Sequence, residues 1–212
     1  MRLVATSDTH KKVDIAFIPD GDVFVHAGDL MTTGYPDDWK EQLEWLAALP
    51  HKKKLYIPGN HDFHIQVYPG PALQELRKAG VTVIGLPGND RFAYHILENG
   101  MMLLGLPFVK NLPRWAFNQE ESEVEDYLNR MPGCAIVVSH SPIYKILDGD
   151  GTFHAGMRCY RKYLEKYNPR YWIHGHIHEA YGHERIGNTD VYNVAMCDRQ
   201  HNHVNQPLIL DL

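Results

Sequence analysis

Short apolar runs rich in β-branched residues alternate along this chain with stretches of helical period. That alternation restricts it to a layered α/β fold, because strands separated by crossover helices bury the apolar faces of both kinds of element. Strands are predicted over residues 2–7, 22–26, 54–58, 81–85, 101–106, 135–139 and 171–174, with 191–194 and 207–210 closing a sheet at the C-terminal end. Helical periodicity is strongest over 37–49, where Trp39, Leu43, Leu46 and Ala47 share a face, and recurs over 71–79, 119–130 and 157–167. No internal repeat, low-complexity tract or linker interrupts the order, so residues 1–212 are expected to form one domain. With 212 residues, 44% of them hydrophobic, the chain can bury a full core. The longest irregular segments, 108–118 and 145–156, are the kind of ordered loop that faces a ligand.

Charge and cysteine content narrow the function. A formal charge of -5 argues against a surface that neutralises a nucleic-acid backbone, which needs clustered Lys and Arg, so no extended nucleic-acid surface is expected. The run Lys52-Lys53-Lys54 reads as a solvated strand entrance. Cys134, Cys159 and Cys197 are odd in number and lack C-x-x-C spacing, which suggests reduced structural thiols rather than disulfides or a thiolate zinc site. Residues 1–8 lack the apolar core of a signal peptide and no later run approaches a membrane span; a cytoplasmic protein without membrane association is expected.

Histidine is the informative excess, with 14 copies. Five motifs stand at the C-terminal ends of predicted strands, the edge where open α/β sheets place their ligands: Asp8-Thr9-His10, Gly28-Asp29, Gly59-Asn60-His61-Asp62, Ser139-His140-Ser141-Pro142 and Gly175-His176-Ile177-His178. Singly, each has a structural reading: Asp8 caps a turn, Gly28-Asp29 and Gly59-Asn60 form turns, and His140 is a satisfied core histidine. Together they bring Asp, His and Asn side chains to one edge, a mixed oxygen and imidazole set suited to Mn, Fe, Zn or Co. Gly28, Gly59 and Gly175 permit sharp turns that aim the next side chain. Alternate side chains of an extended 176–178 segment reach the same face; His174 shares that parity but precedes the Gly175 turn.

In this order, D-x-H, G-D, G-N-H-D, S-H and G-H-x-H resemble the calcineurin-like metallophosphoesterase superfamily over most of the chain. Within it, Gly175-His176-Ile177-His178-Glu179 with Tyr181-Gly182, and upstream His154-Ala155-Gly156, resemble the small class III cyclic-nucleotide phosphodiesterase and metallophosphoesterase-domain group. The resemblance implies a four-layer α/β/β/α sandwich of two mixed sheets flanked by helices. It implies two divalent transition-metal ions, Mn foremost with Fe, Zn, Co or Ni as alternatives. Asp8, His10 and His178 would hold one ion, Asn60, His140 and His176 the other, and Asp29 would bridge them. His61 would be no ligand; it would face the scissile phosphate and donate to the leaving oxygen, with Asp62 behind the ligands. Asn60, His61 and His154 would contact substrate.

Two such ions lower the pKa of a bridging water and clamp a phosphate for in-line attack, so the resemblance implies hydrolysis by a metal-bridging hydroxide without a covalent phosphoenzyme. No Ser-His-Asp or Cys-His arrangement competes: Ser139 and His140 are strand neighbours facing opposite ways. Nor is there a G-x-x-x-x-G-K phosphate loop. Without a cap domain the site is expected to be open to small phosphodiesters, cyclic nucleotides among them. A phosphomonoesterase or nuclease with the same metals is the alternative, and a non-catalytic scaffold is disfavoured by seven filled ligand positions. Phe108, Lys110, Arg114, Trp115 and Phe117 either stack a base and meet a phosphate or pack over the sheet. His154 and Arg158, flanking Gly156, are further substrate candidates, His154 the better one by the resemblance. One departure stands out: many relatives carry an acidic residue three positions after the bridging aspartate, orienting the G-N-H histidine, and here that position is Thr32. Its hydroxyl can accept a hydrogen bond from the imidazole but stabilises an imidazolium less than a carboxylate would.

Overall fold

Side-chain alternation within the strands sets the layering. In β1 (Arg2–Thr6), β2 (Val23–His26) and β3 (Lys53–Tyr56), residues Leu3, Ala5, Val23, Val25 and Leu55 join one buried cluster, while Val4, Phe24 and Tyr56 join another on the opposite face. In β6 (Met102–Leu106), β7 (Ile136–Ser139) and β8 (Tyr171–His174), residues Leu103, Ile136, Val138, Tyr171 and Ile173 meet the first of these clusters. Leu104, Val137 and Trp172 turn the other way into a third. The shared cluster is therefore the interface between two sheets, and each outer cluster is a helix–sheet interface. Trp39, Trp45 and Leu46 of α1 (Pro36–Ala48), Ile65 of α2 (Phe63–Val67), and Ala72 and Leu76 of α3 (Pro69–Lys78) cover the first sheet. Val124 and Leu128 of α4 (Glu121–Asn129) with Tyr160 and Leu164 of α5 (Arg158–Tyr167) cover the second. The computed structural model is thus the expected four-layer sandwich, and it describes residues 1–10, 13–32, 34, 36–88, 93–149 and 152–212.

With β4 (Val81–Val83), β5 (Tyr94–Ile96), β9 (Gly182–Ile186), β10 (Thr189–Asn193) and β11 (Leu208–Asp211), the first sheet has the order β11-β1-β2-β3-β4 and the second β5-β6-β7-β8-β10-β9. Both are mixed: β1 to β4 run parallel, as do β6, β7, β8 and β10, while β11, β5 and β9 pair antiparallel at edges. One expectation is corrected here. The two C-terminal strands do not close one sheet: β10 joins β8 in the second, and β11 pairs with β1 in the first. The sheets meet at the seam Ser7–Ala195, where Ser7 N–H donates to Val194 O at 3.0 Å and Met196 N–H to Ser7 O at 2.8 Å.

The Lys52-Lys53-Lys54 run is not uniformly solvated either. Lys52 is exposed and pairs with Glu98, but Lys54 is buried, its ammonium donating to the carbonyls of Leu46, Ala47 and Leu49 at 2.9, 3.1 and 3.3 Å. These are carbonyls at and just past the end of α1, and a cation there satisfies acceptors that the helix leaves unpaired. All three cysteines are buried and none is in a disulfide. Among the described residues no helix is long and apolar enough to cross a membrane.

Trp172 shows how the packing carries stability. It is fully buried between β8 and α5, and its indole N–H donates to Ser139 Oγ at 2.9 Å. Trp172→Ala is expected to cost about 3–5 kcal/mol, through lost burial and an unfilled cavity, read as a lower midpoint of urea unfolding with an unchanged slope.

Candidate metal centre

The five motifs end their strands in turns that bend sharply toward one another. Asp8, His10, Asp29 and His176 all adopt left-handed backbone, with φ of 52°, 50°, 54° and 70°. Non-glycine residues there cost on the order of 1–3 kcal/mol each, and such conformations concentrate at functional sites. Gly28, at φ 100°, serves the turn by conformation. Gly59 and Gly175 serve it by size. A Cβ on Gly59 would lie 2.4 Å from Asp29 N and Oδ1, and one on Gly175 would lie 2.0 Å from Asp8 Oδ2.

Three imidazoles are oriented by the same device. Nδ1 of His10, His140 and His178 faces a backbone carbonyl: Met31 O at 3.1 Å, Ala27 O at 2.9 Å and Asp198 O at 2.9 Å. A carbonyl accepts only from N–H, so Nδ1 is the donor and Nε2 is turned to the centre, the arrangement typical of metal-ligating histidines. His10 Nε2 and His178 Nε2 then lie 3.3 Å apart, and His178 Nε2 is 3.4 Å from Asp8 Oδ1. Asp8 Oδ2 accepts from the His176 backbone N–H at 2.9 Å, while Oδ1 is buried without a hydrogen-bond partner. On the other side, His140 Nε2 lies 3.0 Å from Asn60 Oδ1 and 3.3 Å from Asp29 Oδ1. Donor atoms of Asp29, His140 and His176 gather within 4.8 Å, as do those of His10, Asp29 and His61. Two inward lone pairs facing one another and an orphaned buried carboxylate oxygen are what a divalent cation would satisfy. The donor set fits such ions.

Charge reinforces the fit. Burial by itself would raise the carboxyls of Asp8 and Asp29, but His178 and His140 for Asp8, and His140 foremost for Asp29, hold both below the ordinary carboxylate value. Burial would lower His140, yet the Asp29 carboxylate beside it raises it to about 9. Burial lowers His10 and His176 to about 4 each, so these rings are neutral and able to ligate at neutral pH.

His61 and Thr32 differ from expectation in an instructive way. The imidazole Nδ1 is held by the backbone carbonyl of Thr32 at 2.6 Å, not by the hydroxyl; Thr32 Oγ1 donates instead to the His10 carbonyl. His61 Nε2 points inward, 3.9 Å from Asp29 Oδ2. Asp62 stands behind the ligands as expected, its carboxylate accepting from Gly59 N–H at 2.7 Å, Asp29 N–H at 3.0 Å and Met31 N–H at 3.1 Å. It thereby ties two ligand turns together. Burial, then the nearby Asp29 charge, raises Asp62 to about 6.

The structure thus gathers Asp8, His10, Asp29, Asn60, His61, His140, His176 and His178. His154 is set differently: among the described residues its ring partners are Asp148, at 2.8 Å, and Tyr144, with Arg158 over the other ring at 3.8 Å from the Tyr144 centroid. Positions 150 and 151 of that loop lie outside the described residues.

Two residues were not legible in the motifs. Asp198 presents its carbonyl to His178, while its carboxylate accepts from the N–H groups of Gln200 and Asn202, both at 2.9 Å, folding a turn. That turn lays His201 on His10, ring centroids 4.1 Å apart and planes 2° from parallel. Nitrogens of His10, His178 and His201 fall within 4.8 Å. His201 therefore covers the His10 ring and would be a further residue able to hold an ion beside His10 and His178. The crowding of His201 and His203 after Asp198 is the one sequence hint.

Comparison with known proteins supports a metal-dependent phosphoesterase. The family model described as calcineurin-like phosphoesterase matches residues 1–180. Human metallophosphoesterase domain-containing protein 1 is 29% identical over 230 residues, covering 100% of this chain and 71% of that protein. UPF0046 protein C25E10.12 of Caenorhabditis elegans is 29% identical over 241 residues, covering 100% and 81%. A solved structure of the protein TT1561 from Thermus thermophilus superposes with a TM-score of 0.61 at 16% identity, over 91% of this chain and 88% of that one, a likeness of fold.

Proposed function

This chain belongs to the calcineurin-like phosphoesterase family and is a metal-dependent phosphoester hydrolase, and from that premise we propose that it is a phosphodiesterase acting on cyclic nucleotides or related small diesters. Residues 1–212 act as one catalytic unit in this reading. Asp8, His10 and His178 hold one divalent ion, Asn60, His140 and His176 hold the second, and Asp29 serves both, with manganese the first ion to test. When bound, such ions supply Lewis-acid polarisation of the phosphate and a lowered pKa for the attacking water. The chain's own side chains do the rest. Asn60 and His61 orient the phosphate, and His61, with Nδ1 fixed on Thr32 O, presents Nε2 to the departing oxygen as proton donor. His154, whose ring is held by Asp148, is assigned to contact the substrate in this reading.

One observation carries the diester reading. The segments Gly175-His176-Ile177-His178-Glu179 and His154-Ala155-Gly156 resemble the small class III cyclic-nucleotide phosphodiesterase and metallophosphoesterase-domain group, which supports a diester substrate. With metal-loaded protein, kcat/KM for bis-aryl phosphate or for a 2′,3′- or 3′,5′-cyclic nucleotide is expected to exceed that for aryl monophosphate by about tenfold or more, a difference of about 1.4 kcal/mol in transition-state binding. A preference for the monoester would make the enzyme a phosphatase, and a preference for short DNA would make it a nuclease.

A further inference from the structure

We propose that Trp115 is a stacking platform for the base of a nucleotide substrate at the mouth of the metal centre, an inference that rests on the nucleotide-diesterase reading. The loop 108–118 offers three aromatic rings and two cations, and the structure sorts them. Phe108 and Phe117 are buried, and Lys110 pairs with Glu121 at 3.0 Å. Trp115 is 38% exposed, and its ring lies 4.3 Å from that of His61, inclined by 45°, with Phe63 at 5.8 Å.

The loop backbone fixes that position. Trp115 N–H donates to Leu112 O at 2.9 Å, Ala116 N–H donates to Asn60 O at 3.1 Å, and Phe117 N–H donates to the Gln66 side chain. The indole is therefore tied, one residue away, to the turn that carries both a proposed ligand and the proposed proton donor. A phosphate held beside Asn60 and His61 places its nucleoside within reach of the exposed part of the indole. Every base presents a π face, so an exposed tryptophan there favours nucleotides over phosphates lacking a base without selecting one base strongly. The alternative occupation of the ring, as packing support for His61, predicts no such discrimination.

Binding of a nucleoside monophosphate tests this without turnover. In manganese-supplied protein, AMP is expected to bind about 5- to 100-fold tighter than ribose 5-phosphate, the range that stacking on one aromatic ring provides. Trp115→Ala should abolish that ratio while leaving ribose 5-phosphate affinity within about twofold, and Trp115→Phe should keep most of it. A second readout comes from emission quenching. Trp39, Trp45 and Trp172 are each at most 4% exposed, so quenching by acrylamide reports chiefly Trp115, and AMP should protect it where ribose 5-phosphate does not. Equal affinity for the two ligands in the wild type overturns the platform, as does a Trp115→Ala variant that weakens both equally. In the wild type, no such ratio with diester hydrolysis intact removes the platform alone, and a clear ratio with no diester hydrolysis removes the diesterase reading alone.

Discussion

Asp29→Asn leaves a folded protein whose hydrolytic activity has fallen by more than about 100-fold and whose metal content has dropped below that of the wild type. The carboxylate stands between the two halves of the centre: its oxygens gather within 4.8 Å of donor atoms of His140 and His176 on one side and of His10 and His61 on the other. The amide keeps the acceptor for the His61 backbone N–H, now at 2.8 Å from Oδ1, and the Asp29 N–H bond to Asp62 does not involve the side chain, so local structure persists. What disappears is the negative charge, and with it most of the attraction for cations in a buried site. Replacing a residue that only supports a ligand already costs about 10–100-fold in metal affinity or activity, so losing a carboxylate that serves both ions costs more. Elemental analysis after gel filtration, circular dichroism and kcat/KM on a diester check the three parts. Full activity with unchanged metal content in this variant would sink Asp29 as the bridge. Undiminished turnover by the wild type after exhaustive chelation would contradict the dependence on metal itself.

How much of this could be read from the sequence depends on where each interaction stores its information. The central strands were legible because both faces are covered: Leu3-Val4-Ala5 and Ile136-Val137-Val138 are apolar at every position, which leaves a buried strand as the natural reading. The rim strands β5 and β9 were not, because Tyr94-His95-Ile96 and Gly182-His183-Glu184-Arg185-Ile186 carry polar groups, and their pairing is decided by the neighbouring strand. At the centre, candidate ligands stood out because side-chain identity marks them. The groups that hold those ligands did not, because they are backbone carbonyls of Ala27, Met31, Thr32 and Asp198, to which any residue could contribute. Thr32 makes the point sharply. Its side chain was the apparent departure from the family pattern, yet the histidine rests on its carbonyl. Lys54 escaped for the same reason, since its partners are backbone carbonyls, and His201 because it takes its place from His10, far away in the sequence.

His61→Ala is expected to keep the metals and to lose activity in proportion to how badly the leaving group needs a proton. The ring's own anchorage makes the expectation specific. With Nδ1 donating to Thr32 O at 2.6 Å, the ring is fixed and only Nε2 is left to face the substrate. A carbonyl is neutral, so this anchor orients the imidazolium without the full charge stabilisation that a carboxylate would give. Protonation of a poor leaving group by a placed general acid is worth on the order of 10² to 10⁴, and the weaker electrostatic support puts the expected loss for a nucleotide ester in the lower part of that range. A nitrophenolate departs without help and should lose far less. The contrast between the two substrates, rather than either loss alone, reports the role. Equal losses on both would assign His61 to stabilising the phosphate oxygens. A fall in metal content would make it a ligand, which its membership of the His10–Asp29–His61 cluster makes a sharp alternative to measure. Because Trp115 packs against the same ring, His61→Gln serves as the companion variant. It preserves bulk beside the indole but cannot deliver a proton, so it should reproduce the leaving-group contrast if proton donation, and not packing, is what His61 contributes.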